Sequence, residues 1–414
     1  MENYLKPVVD PRQCPDEAFI ENLRQRFPTE AEVDAVLTRK MLNRAKRQES
    51  YVPVQLDQLV ECTTRLIGTK IDSEFKLEKP RWLSGGASML QMAFELHWHG
   101  ADGSEPNLVV TPMVLRMCPM EPVVETSFLR EAEVVKALDK LGIVPVPPCY
   151  WIDEEGDFLP YPAIIYGFVT GVAKPTAIPS KQVTGIGLNY GSELRKKLAP
   201  QVIEQIAKIH TVDVAALNLK GFDPVQVGSN ESVIKEINWW QRVWEEDRGE
   251  EEPLMQITAS WLKRNAPPVD HVSIVHNDMR SGNFLFDESS EKITAWLDWE
   301  LVSLGDRHQD LTWLTAYQFG HFAEDGKTFL ASGLMPTDEL LAAYEKATGL
   351  PVDAERMKYY NIFGLWRGAL IVMATGYRVS KGGKSHQDVV VSWLSAVGYL
   401  ILDSLRAALK EVMK

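Results

Sequence analysis

Residues 274–287 read IVHNDMRSGNFLFD. Two apolar stretches, SIV and FLF, flank a loop carrying His276, Asp278, Arg280 and Asn283, and flanks of this kind predict short buried strands. Charged groups are rarely buried without partners, so such a loop is either tightly paired or chemically active. Asp278 and Asn283 are five residues apart, and Asp298 follows in KITAWLDWE, twenty residues after Asp278. FLFD and KITAWLD have the pattern of two strands joined by the polar turn ESSE, and a hairpin brings its outer ends together. That pairing would set Asp298 beside Asp278 and Asn283. Two carboxylates and an amide oxygen make a hard, all-oxygen set suited to magnesium. One of the carboxylates could also accept a proton from an attacking hydroxyl. A single Asp or Asn usually caps a turn; the combination between core strands reads as a site.

A second feature could hold an anion. In LSGGASMLQMAF, residues 83–94, Gly85 and Gly86 let backbone N–H groups approach closely, and Ser84 and Ser88 can donate hydrogen bonds. By itself a glycine pair of this kind is an ordinary turn, and its place on the first hairpin of a sheet gives it weight.

The elements that must position these residues follow from periodicity. RWLSGGASMLQMAFELHWHGADGSEPNLVVTPMVLRM reads as strand, glycine turn, strand, polar turn, strand. SFLREAEVVKALDKLG carries a helical stripe through Leu129, Val134 or Val135, and Leu138, and stops at Gly142. PVPPCYWIDEEGDFLPYPAIIYGFVTG supplies two more strands. Residues 81–170 are therefore expected to form an antiparallel sheet with one inserted helix. Residues 1–80 carry apolar positions at three- and four-residue steps and predict a helical extension. From 171 to 414 helices dominate, broken by strands around HNDMRSGN and resuming from Asp310. The class is α+β, a small β lobe followed by a larger helical lobe.

Composition sets the surroundings. The chain has 414 residues and a formal net charge of −13, which argues against general affinity for nucleic acid or anionic membrane. Cys14, Cys62, Cys118 and Cys149 lie far apart, which suits neither a disulfide framework nor a zinc site and fits a reducing compartment. No apolar run reaches the length of a membrane span, and MENYLKPVVDPRQC has no apolar core like that of a signal peptide. The expectation is a soluble, cytoplasmic protein.

H-x-D-x-x-x-x-N followed by D-W-E resembles the aminoglycoside and choline phosphotransferases, which have a bilobal protein-kinase-like fold. The resemblance implies Asp278 as the catalytic Asp and Asn283 and Asp298 as Mg²⁺ ligands, with His276 bracing the loop. LGDRHQDL is similar to the family's G-D-x-x-x-D-L segment and makes Asp310 a support of that loop. The same likeness gives the Ser84–Ser88 turn to the nucleotide phosphates. It gives Arg116, where a typical kinase has Lys, to the α/β phosphates, with Glu131 as its partner and Glu133 as the alternative. The segment PAIIYGFVTG resembles the hinge between lobes, where the Gly167 carbonyl and Val169 amide would read adenine. Asn277 stands where the family usually has Gly, and Trp-Glu follows Asp298 in place of Phe-Gly.

Leu-Arg on the third strand and Arg280 in D-M-R-S-G-N, a further support of the loop, resemble a branch of kinase-like domains fused to or encoded beside acyl-CoA dehydrogenases. Members of that branch phosphorylate the hydroxyl of 4-hydroxyacyl-CoA. The implied activity is Mg²⁺-dependent transfer of a γ-phosphoryl group from ATP, with GTP as the other donor, to a hydroxyl of a small molecule. A hydroxyacyl-CoA ranks ahead of an aminoglycoside or macrolide as that acceptor. Trp366, Arg367, Arg378, Lys381 and Lys384 offer a basic, aromatic lining for an anionic substrate, and the acidic run WEEDRGEEEP, residues 244–253, reads as a solvated loop. Arg116 and Asn277 leave a rival reading open, a nucleotide-binding pseudokinase acting as scaffold or regulator. Oligomeric state is not fixed by the sequence.

Overall fold

The computed structural model describes residues 10–46, 52–83, 89–100, 103, 107–176, 187–382 and 388–413, without the side chains of 388–396. The Ser84, Gly85, Gly86 and Ser88 turn and Lys384 lie outside the described residues.

Three helices come first, α1 (Glu17–Arg26), α2 (Ala31–Lys46) and α3 (Leu56–Gly68). The sheet follows with β1 (Lys76–Trp82), β2 (Leu90–Trp98) and β3 (Val109–Met117), then helix α4 (Phe128–Leu141), then β4 (Cys149–Asp153) and β5 (Ala163–Gly167). Its order is β1-β2-β3-β5-β4, antiparallel throughout. The larger lobe opens with α5 (Gly191–His210), α6 (Glu231–Asp247) and α7 (Pro253–Arg264). Short strands β6 (Ser273–Val275), β7 (Phe284–Asp287), β8 (Lys292–Trp296) and β9 (Ser303–Gly305) frame the HNDMRSGN loop, followed by α8 (His308–Leu314). A small sheet of β10 (His321–Phe322), β11 (Phe329–Ala331) and β12 (Met335–Pro336) precedes α9 (Thr337–Thr348) and α10 (Ala354–Leu370). A π-helical stretch, Ile371–Gly376, joins α10 to α11 (Tyr377–Gly382), and α12 (Asp388–Val412) follows.

Alternation in the sheet decides which residues face the cleft. Met113, Leu115 and Met117 of β3 share a core with Leu59, Leu66 and Ile67 of α3. Arg116 therefore points to the opposite face, where Ile164 and Tyr166 of β5 pack with Val134, Val135 and Leu138 of α4. Helix α4 is fixed at both ends: Ser127 Oγ accepts from the Arg130 N–H, and Gly142, the expected stop, closes the helix at φ 61°.

The first strand begins at Lys76, so the expected boundary after residue 80 falls inside β1. KLEKPRW hides its strand character because β1 is an edge strand, largely exposed, with Lys79 at φ 49° and a bulge beside Pro80. Expected helices from Asp310 onward are interrupted by β10–β12, whose strands of two or three residues are too short to show a period.

The N-terminal extension touches both lobes. Helix α3 packs on the back of the sheet, while Val33 and Leu37 of α2 enter the helical core beside Trp239, Trp240 and Trp244 of α6. Lys40 reaches Glu246 at 3.1 Å and Asp247 at 3.0 Å, and Arg44 reaches Asp247 at 2.8 Å. On the other side, Ser127 of the β lobe donates to Glu32 and Arg130 donates to Glu30. The run WEEDRGEEEP is therefore solvated only in its second half: Glu246 and Asp247 are buried under cations from α2.

Candidate active site

The loop between β6 and β7 is held from three directions. Asp310, on the first turn of α8, accepts the His276 N–H at 2.7 Å on Oδ2 and the Asn277 N–H at 2.7 Å on Oδ1. His276 Nδ1 accepts the Asp278 N–H at 3.3 Å, which puts the ring proton on Nε2, donating to the Leu297 carbonyl at 2.8 Å. Leu297 in turn donates its N–H to the Asn283 carbonyl at 2.8 Å. The β7–β8 hairpin expected from FLFD and KITAW is present, and it returns the chain to the loop at Leu297, directly before Asp298.

Asn277 has φ 66°, the left-handed region that Gly and Asn tolerate best. Its amide donates to Leu301 O and Ser303 Oγ, and its two oxygens accept from Arg367 of α10 at 2.8 and 2.7 Å. The departure from Gly thus keeps the backbone conformation and adds three side-chain bonds, the fourth being to the backbone carbonyl that Gly also has. Arg367 is buried in this role and Trp366 is core, donating to the Met255 carbonyl. Arg378 pairs with Glu121 and Asp247. Of the expected basic lining, the described residues leave Lys381 exposed, its ammonium 5.7 Å from the Tyr377 ring.

The Asp278 carboxylate is half-buried and fully engaged. Oδ1 accepts from Trp313 Nε1 at 2.6 Å and from Arg280 Nε at 3.0 Å. Oδ2 accepts from Asn283 Nδ2 at 2.6 Å, and the same nitrogen donates to the Asp278 carbonyl at 2.8 Å. With its nitrogen spent on Asp278, Asn283 presents its side-chain oxygen as the remaining polar atom. Arg280 also lies over the Phe319 ring, 5.3 Å from its centre.

Opposite, Arg116 joins the lobes. It donates to Glu131 at 3.0 Å, to Asp298 at 2.7 Å and to Glu300 at 3.4 Å. Glu131 also accepts from the Tyr166 hydroxyl at 2.7 Å. Glu133, the alternative partner, instead accepts the Gly221 N–H at 2.8 Å. Burial lowers the proton affinity of the Arg116 guanidinium, but Glu131, Asp298 and Glu300 more than reverse this and keep it charged. Burial pushes the Glu131 carboxyl up against the opposing pull of Arg116. Burial, and then the charge of Asp298, push Glu300 up to about 8. With Glu300 largely protonated near neutral pH, Glu131 and Asp298 around one cation still leave excess negative charge in the cleft, which a divalent cation would offset.

At the lobe junction Gly167 ends β5, donating its N–H to the Pro148 carbonyl at 2.8 Å, and Val169 lies two residues on, half-buried. The chain then passes over the β7–β8 hairpin at Gly171, φ 145°, where a Cβ would meet Thr294 Oγ1 at 2.7 Å and the Phe286 carbonyl oxygen at 3.1 Å. Only a glycine fits this crossing.

A second cluster, Asp270, Asp306 and His308, has carboxylate and imidazole atoms within 4.8 Å of one another. Its charge is already met: Arg307 pairs with Asp270 at 2.8 Å and Arg356 with Asp306 at 2.5 Å. Burial raises the Asp306 carboxyl, yet His308 and Arg356 overcome this and hold it at about 2. It is an ion-pair network under α8.

Sequence reasoning missed Trp313, Glu300, Tyr166 and the bracing use of Arg367. Trp313 had a signal, since it lies one helical turn after Asp310 in DLTW and must share its face. Tyr166 lies two positions from Ile164 on β5 and so shares the face of Arg116. Nothing local marks Arg367.

A bilobal fold whose cleft holds an Asp–Asn pair facing a cation fixed by a helix glutamate defines a kinase-like phosphotransferase. A solved structure from Ralstonia eutropha, provisionally described as an aminoglycoside phosphotransferase, superposes with a TM-score of 0.57 at 22% identity, covering 85% of this chain and 98% of that one. The APH phosphotransferase enzyme family matches residues 100–360, and the chain belongs to that family. Among curated relatives it is 26% identical to "Probable acyl-CoA dehydrogenase IBR3" of Arabidopsis thaliana, over 70% of this chain and 37% of that protein. It is 24% identical to human acyl-CoA dehydrogenase family member 11, over 63% of this chain and 32% of that protein. The chain thus spans about a third of the length of these relatives.

Proposed function

We propose that this protein transfers the γ-phosphoryl group of ATP to a hydroxyl of a small molecule, with Asp278 as proton acceptor. The observation that carries the reading is the Asp278 carboxylate, fixed by Asn283, with Asp298 at the end of the adjoining hairpin and joined through Arg116 to Glu131 of the other lobe. The donor set fits Mg²⁺: Asn283 offers an amide oxygen and Asp298 a partly exposed carboxylate, both hard ligands. Bound there, Mg²⁺ would offset charge on the transferring phosphates. Asp278 orients the acceptor hydroxyl and takes its proton as the new O–P bond forms and the bond to the leaving nucleoside diphosphate breaks. Arg116, held by Glu131, steadies the donor phosphates and can exchange its bond to Asp298 for one to them. The rate enhancement is positioning and electrostatics.

For the acceptor we favour an acyl-CoA carrying a hydroxyl. Three features support this class over a polycationic antibiotic. The relatives' names contain acyl-CoA dehydrogenase. Glu246 and Asp247, the central acids of the acidic run, are committed to α2 and so cannot line a site for a polycation. Exposed Tyr317 and Phe322 flank Phe329, and the one-turn helix that carries Tyr317 ends at buried Phe319, which lies under Arg280, so an apolar chain has a surface to lie on near Asp278.

The test is ATP and GTP turnover with Mg²⁺ over 4-hydroxyacyl-CoA, aminoglycosides, macrolides, choline and sugars, with Asp278→Asn in parallel. Phosphorylation of the acyl-CoA, reduced at least about 100-fold by the substitution, is expected. Transfer to an antibiotic alone would overturn the acceptor class, and absence of Mg²⁺-nucleotide binding would overturn the activity.

A further inference from the structure

The two oxygens of Asp278 are not equivalent. Oδ1 carries two donors, Trp313 Nε1 and Arg280 Nε, while Oδ2 carries only Asn283 Nδ2. We propose that Trp313 is the positioning residue of the proton acceptor: its indole N–H anchors Oδ1 and thereby turns Oδ2 towards the acceptor hydroxyl. This rests on the phosphotransferase reading above.

Of the two donors on Oδ1, the indole is the one whose place is set independently of the loop. It stands on α8, the helix whose Asp310 also grips the loop N–H groups, so one rigid element fixes both the backbone and the carboxylate. The ring is wedged between Phe319, centroids 5.0 Å apart, and the Arg367 guanidinium, 5.3 Å from the ring centre. Gly364 of α10 lies against its edge, leaving a Cβ only ordinary contact distance at 3.5 Å. A ring boxed in this way, with only two side-chain torsions, keeps its N–H aimed at one point. Arg280 belongs to the loop itself, is partly exposed, and has four torsions to restrain. An indole N–H also only donates, so it stabilises the carboxylate without competing for the proton that Oδ2 receives. Asn283 complements it from the other side, and the carboxylate plane is defined by bonds at both oxygens.

Two substitutions separate donation from packing. Trp313→Phe keeps an aromatic ring against Phe319 and Arg367 but removes the N–H. Trp313→His loses the second ring, yet its five-membered ring places Nε2 where the indole Nε1 stands. The assay is Mg²⁺-ATP hydrolysis, with water as the acceptor, read as kcat and KM, with the Mg²⁺-ATP dissociation constant by calorimetry. Expected is a fall in kcat of about 10- to 100-fold for Trp313→Phe, partial recovery in Trp313→His, and little change in KM or in nucleotide affinity for either. Wild-type kcat in Trp313→Phe, or a deeper loss in Trp313→His, would assign the residue to packing and overturn the inference. An independent readout is the indole N–H resonance of Trp313, assigned through its contacts with Phe319. It is expected downfield in the wild type and shifted in Asp278→Ala; an unmoved resonance overturns the inference even if both Trp313 variants fail to fold. Loss of nucleotide binding by the wild type would instead sink the phosphotransferase reading, and the resonance distinguishes the two failures.

Discussion

At the scale of single residues, the site separates into groups readable by identity and groups readable only by partner. Asp278, Asn283 and Asp298 announce themselves because carboxylates and amides between apolar strands are costly without a task. Asn277 looked like a defect and is a substitute: its φ of 66° suits Asn nearly as well as Gly, and its side chain ties the loop to Leu301, Ser303 and Arg367. Asn277→Ala should therefore be worse than Asn277→Gly, though both lose the same side-chain bonds. Alanine adds left-handed strain of about 1–2 kcal/mol, and the two variants should melt a few degrees apart, with glycine higher. Equal melting temperatures would mean the loop relaxes its backbone when the side-chain bonds go. Arg116 makes a similar point. A lysine could hold one carboxylate as a point charge, whereas the planar fork spans Glu131, Asp298 and Glu300 at once.

At the scale of elements, the sheet, α4 and the β7–β8 hairpin were legible because each has a period, a cap or a turn that acts locally. Edge strand β1 and the strands β10–β12 were not, since charge and brevity erase the alternation. Nor could the sequence show that α2 lies between lobes, because that depends on pairs such as Lys40 with Asp247, more than two hundred residues apart. The strap has a titratable weak point. Glu154, in the turn between β4 and β5, is pushed up to about 7 by burial, then by its hydrogen bond and charge interaction with Glu32 of α2. A carboxyl raised above its ordinary value near 4.5 contributes full stability below that pH and loses it as pH rises through about 7. Glu154→Gln keeps a hydrogen-bonding amide without the charge. Its melting temperature should match the wild type near pH 4.5 and exceed it by about 1–3 °C at pH 8, the gain being modest because the group is half exposed. A gain that is largest at low pH would refute the sign of this coupling.

At the scale of the whole molecule, the N-terminal extension closes a circuit that neither lobe closes alone. Helix α3 covers the sheet, α2 enters the α6 core, and Glu32 of α2 and Glu30 just before it accept from Ser127 and Arg130 at the start of α4. Asp247 is the node of this circuit, buried and bonded to Lys40 at 3.0 Å, Arg44 at 2.8 Å and Arg378 at 2.9 Å. Arg378 extends it to Glu121, in the segment after β3, so a single carboxylate links α2, α6, α11 and the β lobe. Removing one partner from a buried ionic cluster costs about 3–5 kcal/mol, since the remaining charges stay desolvated. Asp247→Ala should lower global stability by that amount in urea at pH 7. The signature of the circuit is cooperativity. If the extension holds both lobes, far-UV circular dichroism and tryptophan fluorescence, the latter dominated on α6 by Trp239, Trp240 and Trp244, will shift to a lower midpoint together. If the extension were merely appended, Asp247→Ala would split off an early, small transition and leave the main midpoint of the two lobes unchanged.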